Sequence, residues 1–453
     1  MKRLEEFLKN NKEKRLKIGV VGDAMVDEYY YVNIKKISPE FPIPVMHSAT
    51  SQPTYSLPGG AANVAYQFKH FNVDVYLISA IDYEAAQIFR DHKINTYFCT
   101  PLLDYNIPRK KRFYSDDFPT YRWDVEDSVL PDGFWNYIQN ALDHSQDFFD
   151  VLIFSDYDKG FFKQEVVDYF RSFSRARYKI VDPKKNFALW KGFDVIKPNY
   201  QEAKAWTGVD EVEKQYELIK QTGVKEVVIT MGDKGVCFGP SKNNNIYRSF
   251  INNSPNSVIG AGDCFMAFMA MALAHDFDVS GAAIIAFEMG ALYVQEKHNS
   301  PVDISKILKK FFPDQAKYDI PLLPRNYSLC FTNGCFDVLH RGHIETLKFA
   351  KSQADKLVVA VNSDASVARL KPGRPINNLA NRMALLANLE CVDYVVSFDE
   401  DTPIEIIKKL QPDVLVKGGD YDLSKVVGVD MVDRVLLSPF IPDLSTTKIL
   451  SYL

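Results

Sequence analysis

Residues 331–347 read FTNGCFDVLHRGHIETL: a short apolar run, then Asn333, Gly334 and Asp337, then two histidines at the mouth of a helical pattern. An apolar run that breaks at a turn and passes into a helix is the repeating unit of an α/β sheet. His340 and His343 are spaced i, i+3, so they share one face of a helical turn, and Gly342 between them lets a ligand come close. With only 8 histidines in 453 residues, the pair calls for a chemical explanation. Zinc helices space their histidines i, i+4 around a glutamate, and no accompanying Cys or Glu set is present here. The imidazoles, with lysines, suit the α-phosphate of a nucleoside triphosphate, where prearranged donors stabilise charge that builds during in-line attack. Thr332 and Gly334 at the strand end give a nucleotide close approach, and Asp337 fixes the turn.

Outward from this stretch the same alternation recurs. Strand-like runs SLCFTNG, KLVVAVNSD, YVVSF and DVLVKGGD lie in the last third, and KIGVVGD, DVYLISAID, DVLIFSD, KIVDP, DVIKPN and EVVITMGDKG lie before it. Strands alternating with helices predict mostly parallel sheets whose ligands bind beyond the C-terminal strand ends. PDQAKYDIPLLPRN, with three prolines and no helical period, separates the two series. The expected organisation is a first α/β domain at 1–312, a linker at 313–326 and a second, smaller domain at 327–453.

Composition bounds the function. Hydrophobic residues are 46%, charged residues 25% and the net charge is -4, which offers no general footprint for nucleic acid or an acidic membrane. Six cysteines without C-x-x-C spacing suggest reduced thiols and a cytoplasmic protein. MKRLEEFLKNNKEK lacks the apolar core of a signal peptide, and the longest apolar run, CFMAFMAMALA, is shorter than a membrane span.

A second chemical stretch is SVIGAGDCF at 257–265. Gly260, Ala261 and Gly262 leave backbone N–H groups unobstructed at a helix start, where phosphate oxygens bind. Asp263 just behind them would repel phosphate unless it takes a proton from an attacking hydroxyl, the combination phosphoryl transfer needs. Alone, the stretch reads more readily as a glycine turn capped by Asp before a core helix.

It is accompanied by GDAMVDEYYYVNIKKISPEFPIPV, PGGAANVA, SDYDKG, VDPK, KPNYQE and TMGDKG, and in that order the first domain resembles the ribokinase-like sugar kinases, more narrowly the bacterial heptose 7-phosphate kinases. The resemblance implies Asp263 as base and Gly260–Gly262 as anion hole. It implies that Asp23, Asp27, Gly59, Gly60 and Asn63 hold sugar hydroxyls. Lys110, Arg112, Arg122 and Asp124 would meet the phosphorylated end of the sugar or the acceptor pocket. Asn199 and Glu202 match the Mg-nucleotide motif, with Glu202 acting on Mg²⁺ indirectly, and Thr230 and Gly232 lie by the ATP phosphates. YYYV at Tyr29 and PIPVM at Pro42 look like paired strands of a β lid. Ser257, Val258, Ile259, Phe287 and His298 depart from the family pattern, which leaves open a first domain that senses a sugar phosphate without turnover.

The second domain resembles the cytidylyltransferase-like nucleotidyltransferases, which carry the H-x-G-H signature in a Rossmann-like sheet. VNSDASVARLKPGRPINNLANR, VSFDEDTP, VKGGDY and STTKI look most like the adenylyltransferase half of the bifunctional heptose-activating enzymes. The resemblance implies that Lys371 neutralises the triphosphate, Arg374 and Arg382 contact phosphate or acceptor, and Lys417 and Gly418 lie by base or substrate. Ser445, Thr446 and Thr447 would hold the outer phosphates at a helix start. Together the halves imply two ATP- and Mg²⁺-dependent steps, phosphorylation of the anomeric hydroxyl of a heptose 7-phosphate and adenylylation of heptose 1-phosphate. Another enzyme removes the 7-phosphate between them. Another sugar or polyol phosphate, or CTP or GTP as donor, would use the same residues. The family's lids also imply a homodimer.

Overall fold

The computed structural model describes residues 2–48, 51–102, 105–115, 118–126, 129–239, 246–247, 258–295, 300–311, 317, 327–419 and 426–439. They fall into two compact units, Met1–Asp303 and Ile304–Leu453. The helix Ile304–Phe311 belongs to the second unit. Of the segment expected to link the domains, only Lys317 is described.

In chain order the first unit holds strands β1 (Leu16–Gly22), β2 (Ala24–Tyr31), β3 (Asn33–Ile37), β4 (Pro44–His47), β5 (Tyr55–Gly60), β6 (Val73–Ile78), β7 (Ala80–Ile81) and β8 (Thr100–Pro101). Then come β9 (Arg109–Ser115), β10 (Phe118–Val125), β11 (Phe149–Ser155), β12 (Ala176–Asp182), β13 (Val195–Ile196), β14 (Glu226–Thr230), β15 (Val236–Phe238) and β16 (Ile246–Tyr247). Eight of them form one sheet in the order β16-β15-β14-β13-β12-β11-β1-β6, parallel from β14 to β6. β1 and β11 are buried along almost their whole length, as continuous apolar strands covered on both faces must be. The helix Ala261–Ala274 packs against β11 and is buried nearly all round, which explains why its sequence shows no polar face.

A second sheet, β10-β9-β2-β5, contains the YYYV segment expected to belong to a lid. Its aromatic residues stack across neighbouring strands, Tyr29 on Tyr55 at 4.7 Å and Tyr30 on Phe113 at 4.8 Å between ring centroids. The expected pairing of YYYV with PIPVM is corrected. Tyr29–Tyr31 lie in β2, which pairs with β5 and β9, whereas β4 pairs with β3 in a separate ribbon. Both segments are lid-like in sequence, but a strand's partner is chosen by burial of its faces, and β2 is the buried one.

The second unit carries β17 (Leu329–Gly334), β18 (Lys356–Asn362), β19 (Tyr394–Phe398), β20 (Val414–Lys417) and β21 (Arg434–Leu437). They form one parallel sheet, β19-β18-β17-β20-β21. Alternate residues feed two cores, Leu357, Val359 and Val361 on one face and Val358 and Ala360 on the other. The strand order reverses between β17 and β20, so the crevice beyond their C-terminal ends is where such a sheet binds ligands. FTNGCFDVLHRGH leaves β17 at that point.

Candidate active sites

In the first unit, Gly260 takes φ 77° and caps the helix Ala261–Ala274, bringing Asp263 into its first turn. A Cβ on Gly260 would stand 2.3 Å from the Tyr293 hydroxyl and 2.7 Å from Asn63 Nδ2, so both conformation and space require glycine. Asp263 is buried. Its Oδ2 accepts from Asn63 Nδ2 at 2.6 Å and its Oδ1 accepts from the Tyr157 hydroxyl at 2.7 Å. Burial pushes its carboxyl above the usual range, while those two hydrogen bonds and the charges of Lys197 and Lys110 pull it back. A buried carboxylate with its own donors at the opening of a helix has the chemistry of a proton acceptor.

Asp27, on β2, accepts from Arg112 Nη1 at 2.7 Å, both side chains being buried. Gly59 lies so close to Asp27 that a Cβ there would meet its carboxylate at 3.2 Å. The Lys110 ammonium is 5.0 Å from the Tyr157 ring centroid and is pushed down by burial, with Asp27 and Asp263 opposing the shift. Arg122 and Asp124 pair with each other through two hydrogen bonds of 2.7 and 2.6 Å on the exposed face of β10, opposite Arg112 and Lys110. Lys110 and Arg112 thus lie beside the carboxylates of Asp27 in the same sheet and, for Lys110, of Asp263, an arrangement suited to a phosphorylated polyol.

Asp23, expected to hold a sugar hydroxyl, accepts from three backbone N–H groups. Its Oδ2 accepts from the backbone N–H of Tyr157 at 2.8 Å and of Lys159 at 3.2 Å, and its Oδ1 from that of Phe161 at 3.2 Å. Burial raises its carboxyl to about 6, against those bonds. Asp23 therefore secures the loop 157–161. Gly60, with φ 55° and the Asp23 carbonyl 2.4 Å from any Cβ, lets the chain turn from β5 into the helix Ala61–Tyr66 that carries Asn63.

Asn199 and Glu202 form a capping box at the helix Tyr200–Thr207, and the second Glu202 oxygen accepts from Lys184 at 2.8 Å. Thr230 bridges to Asn199 at the end of β14, and Gly232 has open space beside its α-carbon. Sequence reading missed Tyr157, Asp182, Lys184 and Lys197 as individual residues. Lys197 is buried and pairs with Asp182 at 2.8 Å, its ammonium 3.4 Å from where a Gly262 Cβ would stand. Asp182 is raised to about 7 by burial, against the pull of Lys197. All four lie in SDYDKG, VDPK and KPNYQE at strand ends, a signal that could have found them. Phe287 packs edge-on to Tyr247 at 6.3 Å; Ser257 and His298 lie outside the described residues.

In the second unit His340 caps the helix Arg341–Lys351 from outside and His343 lies in its first turn. The two rings stack with centroids 3.8 Å apart and planes 25° from parallel. The buried Nδ1 atom of each lacks a hydrogen-bond partner among the described residues. Burial lowers His340, and burial, His340 and Lys371 lower His343 to about 4. Both are therefore neutral near pH 7, with unsatisfied ring nitrogens in a crevice at the switch point. Lys417, at the end of β20, donates to Asn333 Oδ1 at 2.5 Å and is pulled down to about 8 by burial. Gly418 follows it, half-buried. Lys371 ends the helix Asp364–Leu370 and is exposed; Arg374 sits in the next turn, half-buried. Thr332 is buried in β17, and Gly334 packs close to the Phe336 ring. Asp337 Oδ1 accepts from the N–H groups of Ile376 at 2.8 Å and Asn377 at 2.9 Å, tying the histidine loop to the loop that carries Arg374.

Arg382 does not meet its expected role at the phosphate. It is 0% exposed and donates to the carbonyls of Asn377 at 2.9 Å and Cys335 at 2.6 Å and to Asp364 Oδ1 at 2.7 Å. It clamps the two loops from beneath. Arg382→Met should destabilise the second unit by on the order of 3 kcal/mol, because two buried carbonyls and a carboxylate lose their donor. Urea unfolding of the full chain, followed at the second unit's transition, measures this; an unchanged midpoint would contradict the clamp. Ser445, Thr446 and Thr447 lie outside the described residues.

Family models match both units, a pfkB family carbohydrate kinase at residues 178–304 and a cytidylyltransferase-like domain at 331–449. Phosphofructokinase-2 from Escherichia coli, solved in complex with potassium, superposes with TM-score 0.55 at 17% identity over 65% of this chain and 97% of its own, a likeness of fold. The bifunctional protein HldE of Nitratiruptor sp. is 34% identical over 96% of this chain and 98% of its own length. That of Campylobacter jejuni is 32% identical over 98% of both. The chain belongs to the HldE family of bifunctional proteins and is an enzyme that joins a carbohydrate kinase to a nucleotidyltransferase.

Proposed function

We infer that the first unit phosphorylates D-glycero-β-D-manno-heptose 7-phosphate at its anomeric hydroxyl and that the second transfers adenylyl from ATP to heptose 1-phosphate, releasing pyrophosphate. The chain is thus a bifunctional heptose kinase and adenylyltransferase that feeds surface-glycan synthesis, with the unit Met1–Asp303 as the kinase and the unit Ile304–Leu453 as the transferase. The observation that carries the kinase reading is Asp263, buried at a glycine-capped helix start and held by Asn63 and Tyr157. In this mechanism Asp263 takes the proton of the sugar hydroxyl while N–H groups of Gly260–Gly262 and the Lys197 ammonium hold the transferring phosphoryl oxygens. Asp27 and Arg112 orient the sugar, and Lys110 and Arg122 face its phosphate.

In the second unit His340 and His343 donate to the α-phosphate as pyrophosphate leaves, and Lys417 and Lys371 balance its charge. The acceptor phosphate is itself the nucleophile, so no protein nucleophile is needed. Mg²⁺ would enter with the nucleotide in both steps. Among the described residues no group of three His, Cys, Asp or Glu side chains gathers as a metal-ligand set, which suits an ion held chiefly by phosphate oxygens and water. Asn199 and Glu202 would face it through water, and it would neutralise triphosphate charge.

Six cysteines without C-x-x-C spacing and a net charge of -4 support a cytoplasmic enzyme without membrane or nucleic-acid partners. Phe118, Tyr121 and Trp123 stand exposed on edge strand β10, a surface that supports a homodimer through the lid. Sedimentation equilibrium should give twice the chain mass, and a monomer at micromolar concentration would reject the dimer. The reactions are tested by phosphorus NMR with Mg-ATP and the heptose 7-phosphate. A new anomeric phosphate signal is expected; its absence in protein that still releases pyrophosphate from ATP and a sugar 1-phosphate would reject the kinase substrate.

A further inference from the structure

We propose that Tyr157 is a positioning residue for the kinase base, its hydroxyl holding the Asp263 carboxylate aimed and charged for proton removal. The proposal rests on Asp263 being that base. Both carboxylate oxygens have a dedicated donor, Tyr157 on Oδ1 at 2.7 Å and Asn63 on Oδ2 at 2.6 Å. Gln67 donates to Asn63 Oδ1 at 3.0 Å, which turns the Asn63 amide so that its NH₂ points at the base. Tyr157 is held independently of Asp263. Its backbone N–H donates to Asp23 at 2.8 Å, and Lys110 lies over its ring. The hydroxyl is thus placed by the loop 157–161 and by the lid strand β9, so a correctly closed lid and a correctly aimed base share one side chain.

The charged and titratable groups around the base are Lys197 and Lys110, which favour its ionised form, and Asp182, Asp27 and Tyr293. A hydrogen bond to the charged form of a buried carboxylate opposes the cost of burial. Burial and the neighbouring Asp263 hold the Tyr157 phenol far above its ordinary range, so it keeps its proton and acts as a donor rather than a relay. In the transfer the sugar O–H bond breaks and its proton passes to Asp263. The sugar oxygen bonds to the γ-phosphorus as the bond from that phosphorus to the ADP oxygen breaks.

The test is Tyr157→Phe in the full chain, with the pH profile of kinase kcat as readout. Removing one bond to the charged carboxylate should move the acid limb up by about one pH unit. Activity then falls about tenfold on the acid side and approaches wild type above the limb, with KM for ATP and thermal unfolding unchanged. An unmoved limb, or an equal loss at every pH, overturns the proposal. So does a variant that fails to fold, because a hydroxyl acting only on Asp263 is not needed for folding. Asp263→Asn separates the two claims. If it retains turnover, the base assignment itself fails; if it is inactive while the Tyr157→Phe limb is unmoved, only the role of Tyr157 falls.

Discussion

Asp263→Asn should lower kinase kcat by about 10³-fold while adenylyl transfer by the same sample is unchanged. Asparagine matches aspartate in volume and still accepts a hydrogen bond, but it cannot take the sugar proton. The site will hold its shape imperfectly, because the new NH₂ must face either Tyr157 or Asn63, both of which donate to Asp263. The effect on sugar and ATP KM should be small, since Asp27 and Arg112 hold each other on the lid side independently of Asp263. The buried carboxylate also sits above its usual range, so the variant should lose an unfavourable charge and show no large fall in thermal stability. Steady-state rates for both reactions on one preparation check this. A kinase loss of less than about tenfold would remove Asp263 from the role of base.

How much of this could be read from sequence follows from the range of the signal. GAGD and H-x-G-H are local patterns, so the helix starts that carry Asp263 and His343 were legible, as was the alternation that makes two parallel sheets. What local patterns do not carry is the partner across the fold. Asp23 looks like its neighbour Asp27 in GDAMVDE, yet one is spent on three backbone N–H groups of a distant loop and the other faces an arginine. Arg382 is an arginine near a phosphate site in sequence and a buried clamp in three dimensions, because two of its three acceptors are main-chain carbonyls with no residue signature. The lid strands were recognised but mispaired for the same reason. Pairing depends on which face is buried, and both candidates are rich in apolar residues.

His343→Ala should lower adenylyl transfer by about 10²- to 10³-fold and leave the kinase untouched. The argument starts from the two stacked rings. In the free protein both are neutral, and His343 is held down to about 4 by burial, by His340 and by Lys371. Two neutral imidazoles with buried, unpartnered Nδ1 atoms are costly unless a ligand answers them. A triphosphate in the crevice reverses the electrostatics, since its charge favours the protonated ring. The sign then follows. A group whose pKa rises on binding takes up a proton, so ATP binds more tightly as pH falls towards the free value. Calorimetry at about pH 6, in buffers of different ionisation enthalpy and without sugar phosphate, should show proton uptake on ATP binding to the kinase-silent Asp263→Asn chain. The same uptake should be absent from the double variant that also carries His343→Ala. Its persistence there would assign the proton to the first unit's site, where Asp182 is raised to about 7, or to the nucleotide itself, and the histidine pair would then contribute shape to the site rather than charge.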